Sequence, residues 1–126
     1  MIHSPHLRAT VDLANYVEVG VRPFDQAYSL LKGFVDYVHV KDAQRLADGA
    51  CKVVAAGQGD GQVAEMLAGL AQEPREIFLS IDPRCAQAHE TEKVSDGRCC
   101  GQAMEAVKTI LGQIGAAQAG ITLPAP

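Results

Sequence analysis

The sequence predicts an α/β fold: a short parallel sheet with helices against one face. Two observations carry that expectation. Runs rich in β-branched residues alternate with segments whose apolar residues recur at helical spacing, and the strands themselves alternate apolar with polar side chains. With 126 residues, 48% of them hydrophobic and 21% charged, the chain has the size and composition of one globular domain.

The first predicted strand is Leu7–Asp12. After a short connection, Pro23 stands at a first helical position, where its missing N–H is not needed. Phe24, Ala27, Tyr28 and Leu31 then follow at i, i+3, i+4 and i+7, the stripe of a helix packed on one face. Val35–Lys41 is the second strand. A polar stretch, 42–49, leads to a short extended run at 52–55, and Gly57-Gln58-Gly59-Asp60-Gly61 reads as a loop. Val63, Met66, Leu67 and Leu70 mark the next helix, and Ile77–Asp82 the third strand, stopped by Pro83. The stretch 84–100 has no period and reads as loop. A last helix is predicted over about Gln102–Gly115, with Met104, Val107, Ile110, Leu111 and Ile114 as its buried stripe. The expected organisation is one domain over 1–116 and a flexible tail over 117–126.

Strand alternation assigns two faces. Leu7, Ala9, Val11, Val38, Val40, Ile77, Leu79 and Ile81 belong beneath helices; Arg8, Thr10, Asp12, Tyr37, His39, Lys41, Phe78, Ser80 and Asp82 belong opposite. A doubly wound sheet wants both faces apolar. A barrel with a polar mouth accommodates this pattern better, since its functional groups sit at the C-terminal strand ends. A full (β/α)8 TIM barrel takes about 250 residues. Three units therefore predict part of one, incomplete or completed by a partner.

Composition excludes several functions. No run approaches the roughly 18 apolar residues of a membrane span, and no signal-peptide pattern opens the chain. A formal charge of −4 and the absence of Trp offer neither a basic footprint nor a stacking platform for nucleic acid. Four cysteines, Cys99 and Cys100 adjacent, make a poor disulfide framework, so a reducing cytoplasm is expected. Cys85, His89, Cys99 and Cys100 are spaced C-x3-H-x9-C-C, unlike the paired ligands of structural zinc sites, and read as incidental thiols and imidazole.

Each predicted strand carries one metal-competent side chain near its end: Asp12, His39 and Asp82. Two carboxylates and an imidazole suit a divalent cation such as Mn²⁺, Mg²⁺, Co²⁺ or Zn²⁺. The alternative is that each Asp caps a turn or a following helix. Lys41 and Asp42 read as a substrate contact or a partner orienting His39, or else as a solvated strand-end pair. Arg45 reads as a contact for an anionic substrate, or as a solvated loop residue. The loop 57–61 lacks both the P-loop and the dinucleotide-binding spacing, and reads as a plain turn or a flexible connection near the mouth.

These motifs together carry a resemblance. Ser4–Val17, with Asp12 followed three residues later by Asn15, resembles the sixth-strand segment of the sugar phosphate isomerase/epimerase family, the xylose-isomerase-like TIM barrels. Tyr37-Val-His39-Val-Lys41-Asp42 resembles the family's seventh strand, Val53–Gly61 its glycine-rich loop, and Ile77–Pro83 its eighth strand, where the family has Glu-Pro. The resemblance runs from about residue 4 to residue 115 and implies the C-terminal portion of the barrel. It implies a divalent-metal-dependent enzyme acting on a sugar or sugar-like hydroxy-ketone, in which a metal-held substrate loses a proton to a carboxylate and passes through an enediolate. Carried over by position, Asp12, His39 and Asp82 are metal ligands, Asp82 is also the proton carrier, and Asn15 is a substrate contact or a residue that supports a ligand. Asp82 is one methylene shorter than the family's Glu, and another Glu ligand belongs to an earlier strand. A non-catalytic subunit that folds only with a partner, and a metal hydrolase of the apurinic-site endonuclease type, are the alternatives.

Overall fold

The computed structural model describes residues 4, 6–82 and 97–118. Strands β1 (Ala9–Asp12), β2 (Val35–Val40) and β5 (Phe78–Ile81) form a parallel sheet in the order β1-β2-β5. Strands β3 (Asp42–Arg45) and β4 (Cys51–Val54) form a separate antiparallel hairpin. The mixed α/β architecture with a small parallel sheet is as the alternation predicts.

Asp12 ends β1 and directly caps α1 (Leu13–Glu18), whose Leu13, Ala14 and Val17 are buried. This helix occupies what reads in sequence as a connection; six residues are too few for a periodic stripe to stand out. Pro23 does open a helical segment, but Pro23–Tyr28 is wound as a π turn before α2 (Ser29–Leu31). Phe24 and Tyr28 still stack, with ring centroids 5.5 Å apart. α3 (Val63–Leu70) buries the four residues its spacing marks. α4 (Gly97–Gln118) begins earlier than the apolar stripe does, inside the stretch 84–100 that reads as loop. The remaining loop, 83–96, and residues 119–126 of the expected tail lie outside the described residues.

The core lies on one side of the sheet. Val11, Val35, Val38 and Val40 pack against Leu13, Tyr28, Val63, Met66, Leu67, Leu70, Val107 and Ile110. Each such fully buried aliphatic side chain contributes about 1.5–3 kcal/mol. A register shift between Ala9 and Thr10 lets both Val35 and Val38 face the helices, although strict alternation would put them on opposite sides. The opposite face carries Thr10, Asp12, Tyr37, His39, Phe78 and Ser80, with Phe78 68% exposed. Four residues expected to be buried are exposed: Leu7 precedes β1, Leu79 lies on edge strand β5, and Met104 and Leu111 stand on α4, where only Val107 and Ile110 of the expected stripe are fully buried.

A charged network joins the elements elsewhere. Asp36 receives Arg8 at 3.0 Å and also Arg75, whose guanidinium donates to the Lys32 carbonyl as well. Tyr28 Oη donates to Glu73 at 3.0 Å. Burial first, and the Glu73 carboxylate second, push the Tyr28 phenol up to about 12. Among the described residues no helix is long and apolar enough to cross a membrane.

Candidate functional site

Parallel pairing sets Asp12 directly beside His39, and His39 beside Ser80. All three sit near the C-terminal ends of their strands, on the face opposite the core. The Asp12 carboxylate is shared. Oδ1 accepts the Asn15 backbone N–H at 3.1 Å, capping α1, while Oδ2 lies 3.5 Å from His39 Nδ1. Capping and site roles are therefore compatible in this residue, one oxygen for each. Tyr37 meets His39 edge-on at 5.3 Å and stacks on Phe78 at 6.5 Å, so an aromatic pair borders the Asp12–His39 dyad.

Asp82 continues the β5 ladder, donating its N–H to the Val40 carbonyl. Its Oδ2 lies 3.6 Å from Lys41 Nζ. The Lys41 side chain is only 3% exposed, so of its two expected readings the solvated strand-end residue is not what is found, and its Nζ lies beside a carboxylate rather than His39. Asp12 and His39 thus come together, whereas Asp82 stands one side-chain repeat further along and pairs with Lys41. Among the described residues no three His, Cys, Asp or Glu side chains gather around one point.

The other expected contacts take different places. Asn15 lies exposed in the first turn of α1. Arg45 donates from Nη1 to the Val17 and Glu18 carbonyls at 3.1 and 3.2 Å. Its positive charge therefore completes the C-terminal end of α1, where orphan carbonyls and the helix dipole favour a cation. Cys51 is half-buried and Cys100 exposed, both as free thiols. Cys85, His89 and the Cys99 side chain lie outside the described residues.

Asp42 has the most completely satisfied side chain of this region. Fully buried, its carboxylate accepts the N–H groups of Ala43, Gly57, Gly59 and Gly61 at 2.8–2.9 Å. The glycines at 59 and 61 are required by this close approach. A Cβ on Gly59 would stand 2.5 Å from the Ala43 carbonyl oxygen, and one on Gly61 2.6 Å from Asp42 Oδ1. The glycine-rich loop is therefore a nest of donors already filled by the protein's own anion. It is neither a flexible connection nor a free cradle for a ligand. A cavity of about 550 Å³ beyond it is lined by Arg22, Asp60, Gln62 and Glu65 among others, and by none of the candidate residues.

Sequence reading missed the Asp42 nest and the Lys41–Asp82 pair. Glycine at every second position after a strand-end Asp is the one sequence signal that points to the nest. No family model, curated protein or solved structure matches the chain.

Proposed function

We propose that this chain forms the C-terminal units of a xylose-isomerase-like (β/α)8 barrel and serves divalent-metal-dependent isomerisation or epimerisation of a sugar, sugar phosphate or related hydroxy-ketone. The observation that carries the reading is the Asp12–His39 pair, 3.5 Å apart on adjacent parallel strands at the C-terminal end of an uncovered sheet face. The strand order β1-β2-β5 supports the barrel, because successive units add on one side with no reversal. The order of the four motifs along the chain supports the family.

The donor set fits a cation of borderline hardness. A carboxylate oxygen and an imidazole nitrogen lie side by side, neither deeply buried, with a second carboxylate one repeat away. Asp12 and His39 would hold the ion, which when bound supplies the positive charge that acidifies the carbon between two substrate oxygens. The Asp82 carboxylate takes that proton, and the C–H electron pair moves into an enediolate double bond. Returning the proton to the adjacent carbon, while the hydroxyl proton passes from one substrate oxygen to the other, gives the isomer, with no oxidant or reductant consumed. Epimerisation also needs an acid on the opposite side of the carbon.

The test is a Mn²⁺ titration of the chain by electron paramagnetic resonance, with assays on neutral and phosphorylated ketoses. Stoichiometric Mn²⁺, lost in Asp12→Asn and His39→Gln, together with metal-dependent interconversion supports the enzyme. Asn is itself a good N-cap, so Asp12→Asn leaves α1 intact. Absence of Mn²⁺ binding, or binding indifferent to both substitutions, overturns it. A second reading, a non-catalytic subunit completed by further βα units, is favoured by the uncovered face with Phe78 and Tyr37 exposed on it. It expects Mn²⁺-free protein that becomes monodisperse only with a second polypeptide.

A further inference from the structure

We propose that α4 docks antiparallel on the α4 of a second copy of this chain, along a seam of Gly101, Met104, Lys108 and Leu111. The inference goes beyond the catalytic reading and depends on no metal and no substrate.

The first ground is a second stripe on the helix. Val107 and Ile110 are buried in the core, and Met104 and Leu111 stand beside them, 45% and 41% exposed. Gly101, Met104, Lys108, Leu111 and Gly115 follow one another at spacings of 3, 4, 3 and 4, the interval that keeps side chains facing a neighbouring helix. Gly101 sharpens the point. Glycine weakens a helix relative to alanine, yet a Cβ there would meet nothing within 4 Å, so no packing among the described residues calls for its small size. A helix from outside does.

The second ground selects the occupant. About a two-fold axis level with Ala106, the seam complements itself. Leu111 of each copy meets the open backbone at Gly101 of the other, large against small. The aliphatic stem of Lys108 lies along Met104 of the other copy. Its ammonium then stands one residue from the level of the other copy's Glu105, a rise of about 1.5 Å. Within one chain Lys108 Nζ already meets Glu105 Oε1 at 2.9 Å, and both side chains are exposed, so the pair across the axis adds a carboxylate to each ammonium. A parallel pair would instead set Lys108 against Lys108 and align the two helix dipoles.

The experiment is sedimentation velocity of the full chain over roughly 1 μM to 1 mM, a span that covers weak and moderate affinities. We expect its mass to rise with concentration from one copy to two and no further, since a two-fold contact closes on itself. Leu111→Glu should weaken the association at least about tenfold, the scale of a residue central to an interface. Gly101→Leu should do the same without lowering helix content by circular dichroism, because it fills the space Leu111 needs yet suits a helix better. Lys108→Glu and Glu105→Lys should each weaken association by about fivefold, and the two together should return it to within about twofold of the parent, as an exchanged charge pair does. Gln113→Ala, exposed on the other side of α4, should leave it unchanged. A chain that stays a single copy at every concentration overturns the inference, as does a dimer indifferent to Leu111→Glu and Gly101→Leu. A dimer that ignores the charge exchanges overturns the antiparallel arrangement, and the inference with it. If only a polypeptide bearing further βα units covers α4, the inference falls while the barrel reading stands.

Discussion

A buried carboxylate with no opposing side-chain charge normally costs several kcal/mol, and Asp42 shows how the backbone can offset that. Four N–H dipoles, from Ala43 and alternate residues of the loop 57–61, point at its two oxygens. Asp42→Asn keeps the shape but replaces one acceptor oxygen with a donor NH₂, so two of the four N–H groups lose their partner and face another donor. Bonds to a charged group contribute about 1.5–3 kcal/mol each. The substitution should therefore cost about 3–5 kcal/mol, read as a fall in the urea midpoint. Tyr28 gives a second prediction at this scale. Its phenol ionises near 10 when unfolded and at about 12 when folded. The folded state therefore holds that proton more tightly, and stability present below pH 10 is lost as pH rises toward 12. Urea midpoints at pH 9 and 11.5 should fall further apart in the parent than in Tyr28→Phe, by about 2 kcal/mol. Of these residue roles, only the Asp12 cap was legible in the sequence, as one of two alternatives. A cap depends on a neighbour three residues on, whereas the Asp42 nest depends on chain 15 to 19 residues away.

The long apolar stripes and the three parallel strands were legible in the sequence, whereas the short helix α1 and the hairpin β3–β4 were not. The stripe Val63, Met66, Leu67, Leu70 specifies α3 because a packed helix repeats its apolar contacts every turn. The hairpin β3–β4 was read as a polar stretch followed by an extended run, although Asp48-Gly49 between two short alternating segments is a hairpin signal. In the structure Gly49 takes φ +86°, and Asp48 accepts the Ala50 N–H at 3.0 Å. The hairpin matters because it carries Asp42 to the glycine loop, and Asp60 returns its carboxylate to the Arg45 N–H at 2.7 Å. A single methyl added inside this unit tests its rigidity. Gly59→Ala would press its Cβ into the Ala43 carbonyl and Asp42, and should destabilise by about 1–3 kcal/mol as an overpacked site does. Gly33→Ala, whose Cβ would meet nothing within 4 Å, should lie within about 0.5 kcal/mol of the parent. Thermal or urea unfolding of the two variants side by side decides it. Equal costs would mean that the loop gives way to the methyl.

For the molecule as a whole, the uneven distribution of burial decides where stability resides. Side-chain alternation identified the apolar face of all three strands, but it could not tell a central strand from an edge, because that depends on which strands pair. β2 lies in the middle with Val35, Val38 and Val40 buried, while β5 lies at an edge with Leu79 40% exposed and Phe78 68% exposed on the uncovered face. Two leucines therefore report on the two regions with the same chemistry removed. Leu67 is 2% exposed between α3 and the sheet, and Leu67→Ala should cost about 2–5 kcal/mol through lost burial and the cavity left behind. Leu79→Ala removes a side chain already partly in water, and should cost less than about 1 kcal/mol. Amide exchange should follow the same division, with β2 protected to near the global unfolding energy and β5 opening at lower cost. The comparison also bears on the proposed barrel. Further βα units added beside β5 would cover that edge, raising both the cost of Leu79→Ala and the protection of β5 amides while leaving Leu67 unchanged. Measuring the pair of leucines with and without a polypeptide that supplies such units therefore tests whether this sheet is completed from outside: equal Leu79→Ala costs in the two conditions would show that it is not.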